Sequence, residues 1–293
     1  MDFGALFVFF HPDLASVSRN VGVARSLGAR VLLVDNTPEP VVDEGWALRN
    51  GCALIHNGNR DGIAGALERG FAWAERQGLE WLLTMDQDSE VARDWLALLL
   101  EAVPGLDPKT ALVSAEHVTD VRTFGAECVS RPVLTPVRDT MTSGNLVRVA
   151  SWKEVGGFDR SLFIDQVDHD FCLRLHDAGW DLFELRGAKM PHPLGDVTVH
   201  RFFWKKYHQV SNHSALRRYT ITRNRLRMIF RHCLRHPRFA ARESLHFWTE
   251  LLCILLYEKE KARKARMTLL GARDFMLRRW GGPSESVRRA LER

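Results

Sequence analysis

The chain has 293 residues, 45% hydrophobic and 26% charged, which is the balance of a globular protein and excludes a disordered chain or a small disulfide-stapled one. Its net charge of +5 hides a split: 23 of the 41 Lys and Arg, but only 7 of the 36 Asp and Glu, lie from Val197 onward. An acidic first part suits cations and a basic remainder suits phosphates or an anionic membrane, so we expect a domain over 1–197 and a basic helical region over 198–293. Cys52, Cys128, Cys172, Cys233 and Cys253 are scattered without a CxxC pair and read as reduced thiols of a cytoplasmic protein. Asp2 and His11-Pro12 break any signal-peptide pattern. No apolar run approaches the ~18 residues of a membrane span.

In chain order, 5–10 is an apolar run that reads as a buried strand ending at His11-Pro12-Asp13. Residues 14–27 have helical periodicity, 30–36 and 52–57 are two further strands, and 62–77 is a strong helix. Residues 79–85 form a fourth strand, stopped by Asp86. A helix over 94–102 and a strand near 111–114 follow. Strands alternating with helices through short links predict parallel α/β pairing. Ligands in such sheets bind beyond the carboxyl ends of the strands. His11, Pro12, Asp35, Asn36, Asn57, Asp61, Gly62, Asp86 and Gln87 all fall there. After that the pattern is mixed: a strand at 132–137, a loop entering a strand at 141–147, an acidic helix at 165–178 and a strand at 180–184. Beyond His200 the composition is that of Arg-rich helices, interrupted at Pro237.

Four clusters can carry chemistry. Asp86 and Asp88, one residue apart after an apolar strand, can share a divalent ion, although Asp88-Ser89 would equally cap the next helix. Asp168, near a helix start in DQVDHD, can take a proton from a hydroxyl, although acids there also complement the helix dipole. His192 between prolines can ligate a metal, or it is structural. The stretch NGNRDGIAG at 57–65 can offer backbone N–H groups to phosphate, or it is a capped turn.

Taken together and in this order, FFHPD, LVDN, NGNRDGIAGALERG, WLLTMDQDS, SGNLV and GGFDRSLFIDQVDHDFCLRLHDAGW resemble the inverting nucleotide-sugar glycosyltransferases of the GT-A type, family two. They are most similar to the bacterial rhamnosyltransferase branch. The resemblance covers about residues 5–230. It implies a Rossmann-like mixed sheet flanked by helices, with a helical C-terminal extension. It further implies that Asp86 and Asp88 hold Mg²⁺ or Mn²⁺ with His192 completing the site, and that Asp168 is the general base. Asp35 and Asp61 would read the nucleoside, and Ser143, Gly144 and Asn145 would lie beneath the donor sugar. Asp165 would touch sugar or acceptor. Many relatives carry an acidic pair where this chain has Val167-Asp168.

The implied reaction moves L-rhamnose from dTDP-rhamnose to a cell-surface glycan or lipid-linked oligosaccharide. A galactofuranosyl or other UDP-sugar transferase is the alternative within the class. A non-catalytic nucleotide-sugar or nucleic-acid-binding protein is the alternative outside it. Nucleic acid is disfavoured because the strand ends are acidic. The interleaved basic and aromatic residues of 201–236 suggest contact with an anionic inner-membrane surface. The apolar stretch 247–257 suits a homodimer seam, an interfacial helix or core packing.

Overall fold

The computed structural model describes residues 2–119, 128, 131–192, 197–202 and 205–292. By internal contacts the chain divides into two compact units, Met1–Arg160 with Val167–Pro193, and Ser161–Gln166 with Leu194–Arg293.

The first unit opens with four βα steps: β1 (Phe3–Phe9), α1 (Leu14–Ser26), β2 (Arg30–Asp35), α2 (Glu44–Arg49), β3 (Ala53–His56), α3 (Gly62–Arg76), β4 (Trp81–Asp86) and α4 (Arg93–Ala102). It continues with β5 (Thr110–Val118), β6 (Val133–Pro136), β7 (Asn145–Arg148), α5 (Val149–Glu154), α6 (Val167–Asp177) and β8 (Asp181–Pro191). The eight strands form one sheet in the order β3-β2-β1-β4-β7-β5-β8-β6. β1–β4 pair in parallel, β7 runs antiparallel to both β4 and β5, and β8 is parallel to β5. The architecture is the expected mixed sheet flanked by helices.

β1 is buried along its whole length. A strand covered on both faces must be a continuous apolar run, and FGALFVF is one. In the register Phe9 faces Asp35, Asp35 faces His56, and Val8 faces Asp86. The four parallel strands therefore deliver the polar residues at or just beyond their ends to one edge.

Two helices escaped the sequence reading. α2 and α5 have six residues each, under two turns, too short for periodicity to register. The acidic helix expected from Asp165 starts only at Val167. Phe163, Asp165 and Gln166 have φ of 66, 65 and 67°, a left-handed conformation that a right-handed helix cannot contain.

The second unit holds β9 (Val197–Phe202), β10 (Lys205–Ser211), α7 (Ala215–His232), α8 (Pro237–Leu256), α9 (Lys261–Met276) and α10 (Glu285–Glu292). The expectation of helix directly beyond His200 is corrected: β9 and β10 form an antiparallel pair, and helix begins at Ala215. Pro237 interrupts the helices as expected, because it opens α8, a position where its missing N–H is harmless.

α7 was read as part of a basic, outward-facing stretch. Its centre is instead buried from Arg218 to Arg225, and Arg218 and Arg225 are paired with acids of α8 and of the link that follows it. Arg218 bonds Glu250 and Glu258, Lys264 bonds Glu258, and Arg225 bonds Glu243 and Glu250. Buried charge on this scale is tolerated only when paired.

Asn224 fixes the strained 161–166 loop within this unit. Its Nδ2 donates to the carbonyls of Leu162 (2.7 Å), Ile164 (2.7 Å) and Asp165 (3.2 Å), while its Oδ1 accepts from Arg223 Nε. Asn224→Ala would leave these carbonyls without a side-chain donor. About 1–3 kcal/mol of stability should be lost, read as a lower melting temperature. An unchanged melting temperature would show that the clamp contributes nothing.

Candidate active site

All the groups below except Asp165 belong to the first unit. Around β4, Asp86 stands half-buried at the strand end and Asp88 is exposed in the turn beyond it. Ser143 ties this turn to the loop before β7, where its Oγ accepts the Asp86 N–H at 3.1 Å and donates to Ser89 Oγ at 2.7 Å. Ser89 Oγ in turn meets His192 Nδ1 at 2.9 Å. His192 is placed by the end of β8, and its backbone N–H bonds Val118 O. A hydrogen-bonded chain thus runs from the Asp86 backbone through Ser143 and Ser89 to the His192 ring.

Ser89 does not cap the helix that follows. The N-cap of α4 is Ala92, and the Ser89 carbonyl instead accepts from Asn20 Nδ2.

His117, at the end of β5, joins the same group. Its Nε2 lies 2.7 Å from Ser143 O, and its ring meets that of His192 edge-on at 5.7 Å between centroids. Burial is the main cause holding both imidazoles below the ordinary histidine value, with nearby Asp88 partly opposing it at His192. Both are therefore kept neutral at pH 7, the form that ligates metals.

Gly144 completes the loop beside Ser143. Its φ is +74°, where a side chain is strained, and a Cβ there would also have to displace the Met190 thioether 2.6 Å away. Gly144 N–H and Thr84 Oγ1 close the turn onto β4 and the 141–145 loop, and Asn145 Nδ2 donates to Met141 O.

The ends of β1–β3 form a second cluster. Asp35 is fully buried, and its two oxygens accept from the N–H groups of Thr37 and Val41 at 2.9 Å each. It shapes the 36–41 loop and presents no exposed atom for reading a base. Asn57 Nδ2 donates to Asn36 Oδ1 and to Arg60 O. Asn57 Oδ1 is buried with no partner among the described residues.

Asp61 is left-handed (φ 57°) and heads α3 without capping it. Its carboxylate stays partly exposed, 3.8 Å from Arg160, and Gly62 behind it is buried. His11, also left-handed, lies exposed beside Pro12 and is anchored by its N–H to Thr37 Oγ1. Gln87 Oε1 accepts the Phe10 N–H at 2.6 Å, which links the two clusters.

Asp168 lies in the first turn of α6 and lines a small cavity with Thr84, Thr140, Thr142, Asn145 and Cys172. Its Oδ1 receives both the backbone N–H of His169 (2.9 Å) and the His169 ring Nδ1 (3.0 Å). Burial pushes the carboxyl pKa up, but the His169 charge and these bonds outweigh it, so the net shift is downward. Asp168 is thus held as a carboxylate.

Asp165 has a different setting. It belongs to the second unit, where Arg217 Nε bonds its Oδ1 and Thr220 Oγ1 bonds its Oδ2.

The donor set of Asp86, Asp88 and His192 suits a hard divalent cation by chemistry: two carboxylates, and an imidazole whose Nδ1 is engaged by Ser89. Their ligating atoms do not form a cluster within 4.8 Å. The protein would therefore supply some of an ion's ligands and a bound diphosphate the others, the usual manner for Mg²⁺.

Sequence reasoning missed Ser89 and His117. Ser89 carried a signal, its place directly after DQD, but was weighed only as a cap. His117 closes an apolar strand and has no sequence relation to His192.

Residues 18–141 match the family model for glycosyl transferase family 2. The chain is a glycosyltransferase. Among curated proteins it is 26% identical to the dTDP-rhamnosyl transferase RfbF of Shigella flexneri over 242 residues, 75% of this chain and 77% of that one. Among solved structures, S. aureus TarS aligns over 99% of the chain with a TM-score of 0.57 at 12% identity. The chain spans half of that TarS structure's length. A TarS structure in complex with UDP-GlcNAc aligns with a TM-score of 0.56 at 14% identity, over 99% of this chain and 84% of that one. At such identities the likeness to TarS is one of fold.

Proposed function

We propose that the protein transfers L-rhamnose from dTDP-rhamnose to a cell-surface glycan or lipid-linked oligosaccharide, with inversion at the anomeric carbon. The observation that carries the donor assignment is the likeness to RfbF across three quarters of the chain. The strand-end clusters support the chemistry. Asp61, Asn57 and the His11-Pro12 turn line the nucleoside side, and Asp35 acts by holding the loop beside them. Ser143, Gly144 and Asn145 form the floor under the sugar.

Asp86, Asp88 and His192 would hold Mg²⁺ or Mn²⁺. Bound there, the ion would supply positive charge against the departing diphosphate. Asp168 takes the proton from the acceptor hydroxyl while that oxygen forms the new bond to the anomeric carbon and the bond to the diphosphate breaks. In this reading Asp165 acts by anchoring its loop to α7. The domain over 1–197 carries the reaction, and the basic region over 198–293 holds the enzyme to the inner membrane face, where lipid-linked acceptors sit. No helix among the described residues is long and apolar enough to cross a membrane.

The test is a thermal-shift panel of dTDP-rhamnose, UDP-galactofuranose, UDP-glucose and GDP-mannose, each with and without Mn²⁺. A ligand that binds only the folded state raises its apparent stability. A metal-dependent rise with dTDP-rhamnose is expected. A rise with a UDP-sugar alone would keep the class and overturn the donor. Silence from every donor would favour a non-catalytic binding protein.

Ser89 is assigned as the residue that orients His192. Ser89→Ala should weaken Mn²⁺ binding by about 10–100-fold, measured by calorimetry on the protein without donor. Ser89→Thr, which keeps the hydroxyl, should restore most of the loss. Equal affinity in Ser89→Ala and the parent would remove Ser89 from the metal site.

A further inference from the structure

Among the described residues of the second unit, a row of exposed large apolar side chains lies on α8. Leu245, Trp248, Leu252 and Leu255 follow one another at spacings of three, four and three, so they share one helical face. They are 63, 64, 56 and 51% exposed. Leu256 extends the face, and Ala241 begins it. Large apolar side chains in a contiguous exposed row mark a binding surface rather than ordinary surface scatter.

The charges around the row say what covers it. Both carboxylates of α8 are engaged elsewhere: Glu243 is buried against Arg225, and Glu250 pairs with Arg218 and Arg225. Exposed Arg238 and Arg242 stand at the start of the helix, and exposed Lys259 and Lys261 stand just past its end. The exposed Glu260 between the two lysines pairs with Arg263. The wider unit repeats the pattern. Glu258 and Asp274 are buried in ion pairs, so the acids are drawn inward and the surface is left basic. A second copy laid on this face would bring two such basic surfaces together, which works against self-association.

We propose that the outer face of α8 is a membrane-docking surface that lies in the headgroup region of an anionic phospholipid bilayer. Trp248 and the leucines enter the acyl boundary, and the basic residues at both helix ends meet the phosphates. An apolar face with a tryptophan and flanking cations is the composition of a helix lying in the plane of the interface. The expected site on the interleaved basic and aromatic stretch of 201–236 is thereby moved. The part of that stretch on α7 is largely buried in paired charges, and the side chains of 201–211 lie outside the described residues. This inference names the surface for the membrane contact proposed above, and it stands independently of the donor.

The experiment is flotation of the full chain with vesicles of phosphatidylcholine alone or mixed with phosphatidylglycerol, at low and high salt, with no donor or acceptor present. The protein should float with the anionic vesicles and much less with the neutral ones, and salt should reduce binding because the headgroup attraction is screened. Trp248→Ser/Leu252→Ser removes two exposed side chains and should weaken binding by about tenfold or more, with an unchanged circular-dichroism melt. Lys259→Glu/Lys261→Glu should weaken it by roughly fivefold or more per residue. Three outcomes would overturn the proposal: no flotation of the parent at low salt, full flotation of Trp248→Ser/Leu252→Ser, or a parent dimer in sedimentation that this variant converts to monomer. The last would assign the face to a second copy of the chain.

Discussion

Asp168→Asn is expected to lower the rate of sugar transfer by about 10²–10⁴-fold, the usual contribution of a general base, while donor-induced stabilisation stays as in the parent. Asparagine keeps the shape and can still receive the His169 N–H through its carbonyl, so the first turn of α6 is preserved. It cannot accept a proton from the acceptor hydroxyl. The geometry explains why this carboxylate suits the task. Oδ1 is occupied by His169, which fixes the rotamer, and Oδ2 accepts no hydrogen bond from another described residue, so it can face an acceptor oxygen. The lowered pKa means that Asp168 is ionised throughout the neutral range, and its own protonation should not limit the rate there. The measurement is kcat with saturating donor, beside the thermal shift given by the same donor. A full transfer rate in Asp168→Asn would remove it as the base. A lost thermal shift would instead make it a donor ligand.

The core of the parallel half was legible because β1, β2 and β4, buried on both faces, are written as continuous apolar runs, and polar residues follow each of them. Asp86 and Asp88 could be picked out for the same reason. What the strand-end pattern does not carry is orientation. Asp35 is as conspicuous in the sequence as Asp86, yet it turns inward and closes a loop with both oxygens, while Asp88 stays exposed. Long-range pairing was equally hidden. Arg218 and Arg225 look like a solvated basic face until Glu250 and Glu258 are brought against them. The strain at Phe163, Asp165 and Gln166 is invisible for a related reason: Asn224, Arg217 and Thr220, far along the chain, are among the groups that hold this loop. Ser89 and His117 belong to the same class. Each acts through a partner brought close by the sheet, and no local spacing records it.

Replacing both Asp86 and Asp88 by asparagine is expected to abolish metal-dependent donor binding and with it nearly all transfer. A donor present at a hundredfold excess over its Kd stabilises the folded state by about 2.7 kcal/mol. For a chain of this size that is a rise of several degrees in melting temperature. The double variant should lose the part of this rise that needs Mn²⁺. The fold should survive, because Asp88 is exposed, asparagine keeps the shape of each side chain, and the backbone N–H bond from Asp86 to Ser143 Oγ is untouched by the change. The melting temperature without ligand should therefore be close to that of the parent, so a lost donor shift cannot be blamed on unfolding. The contrast with Ser89→Ala separates two layers of the site. Removing the carboxylates takes away the oxygen ligands themselves, whereas removing the serine only loosens the imidazole. The first change should erase Mn²⁺ binding in calorimetry, and the second should weaken it. If the double variant kept a full Mn²⁺-dependent donor shift, the carboxylates at the end of β4 would not be the metal ligands, and the hydrogen-bonded chain through Ser143 and Ser89 would be only a structural tie between β4 and β8.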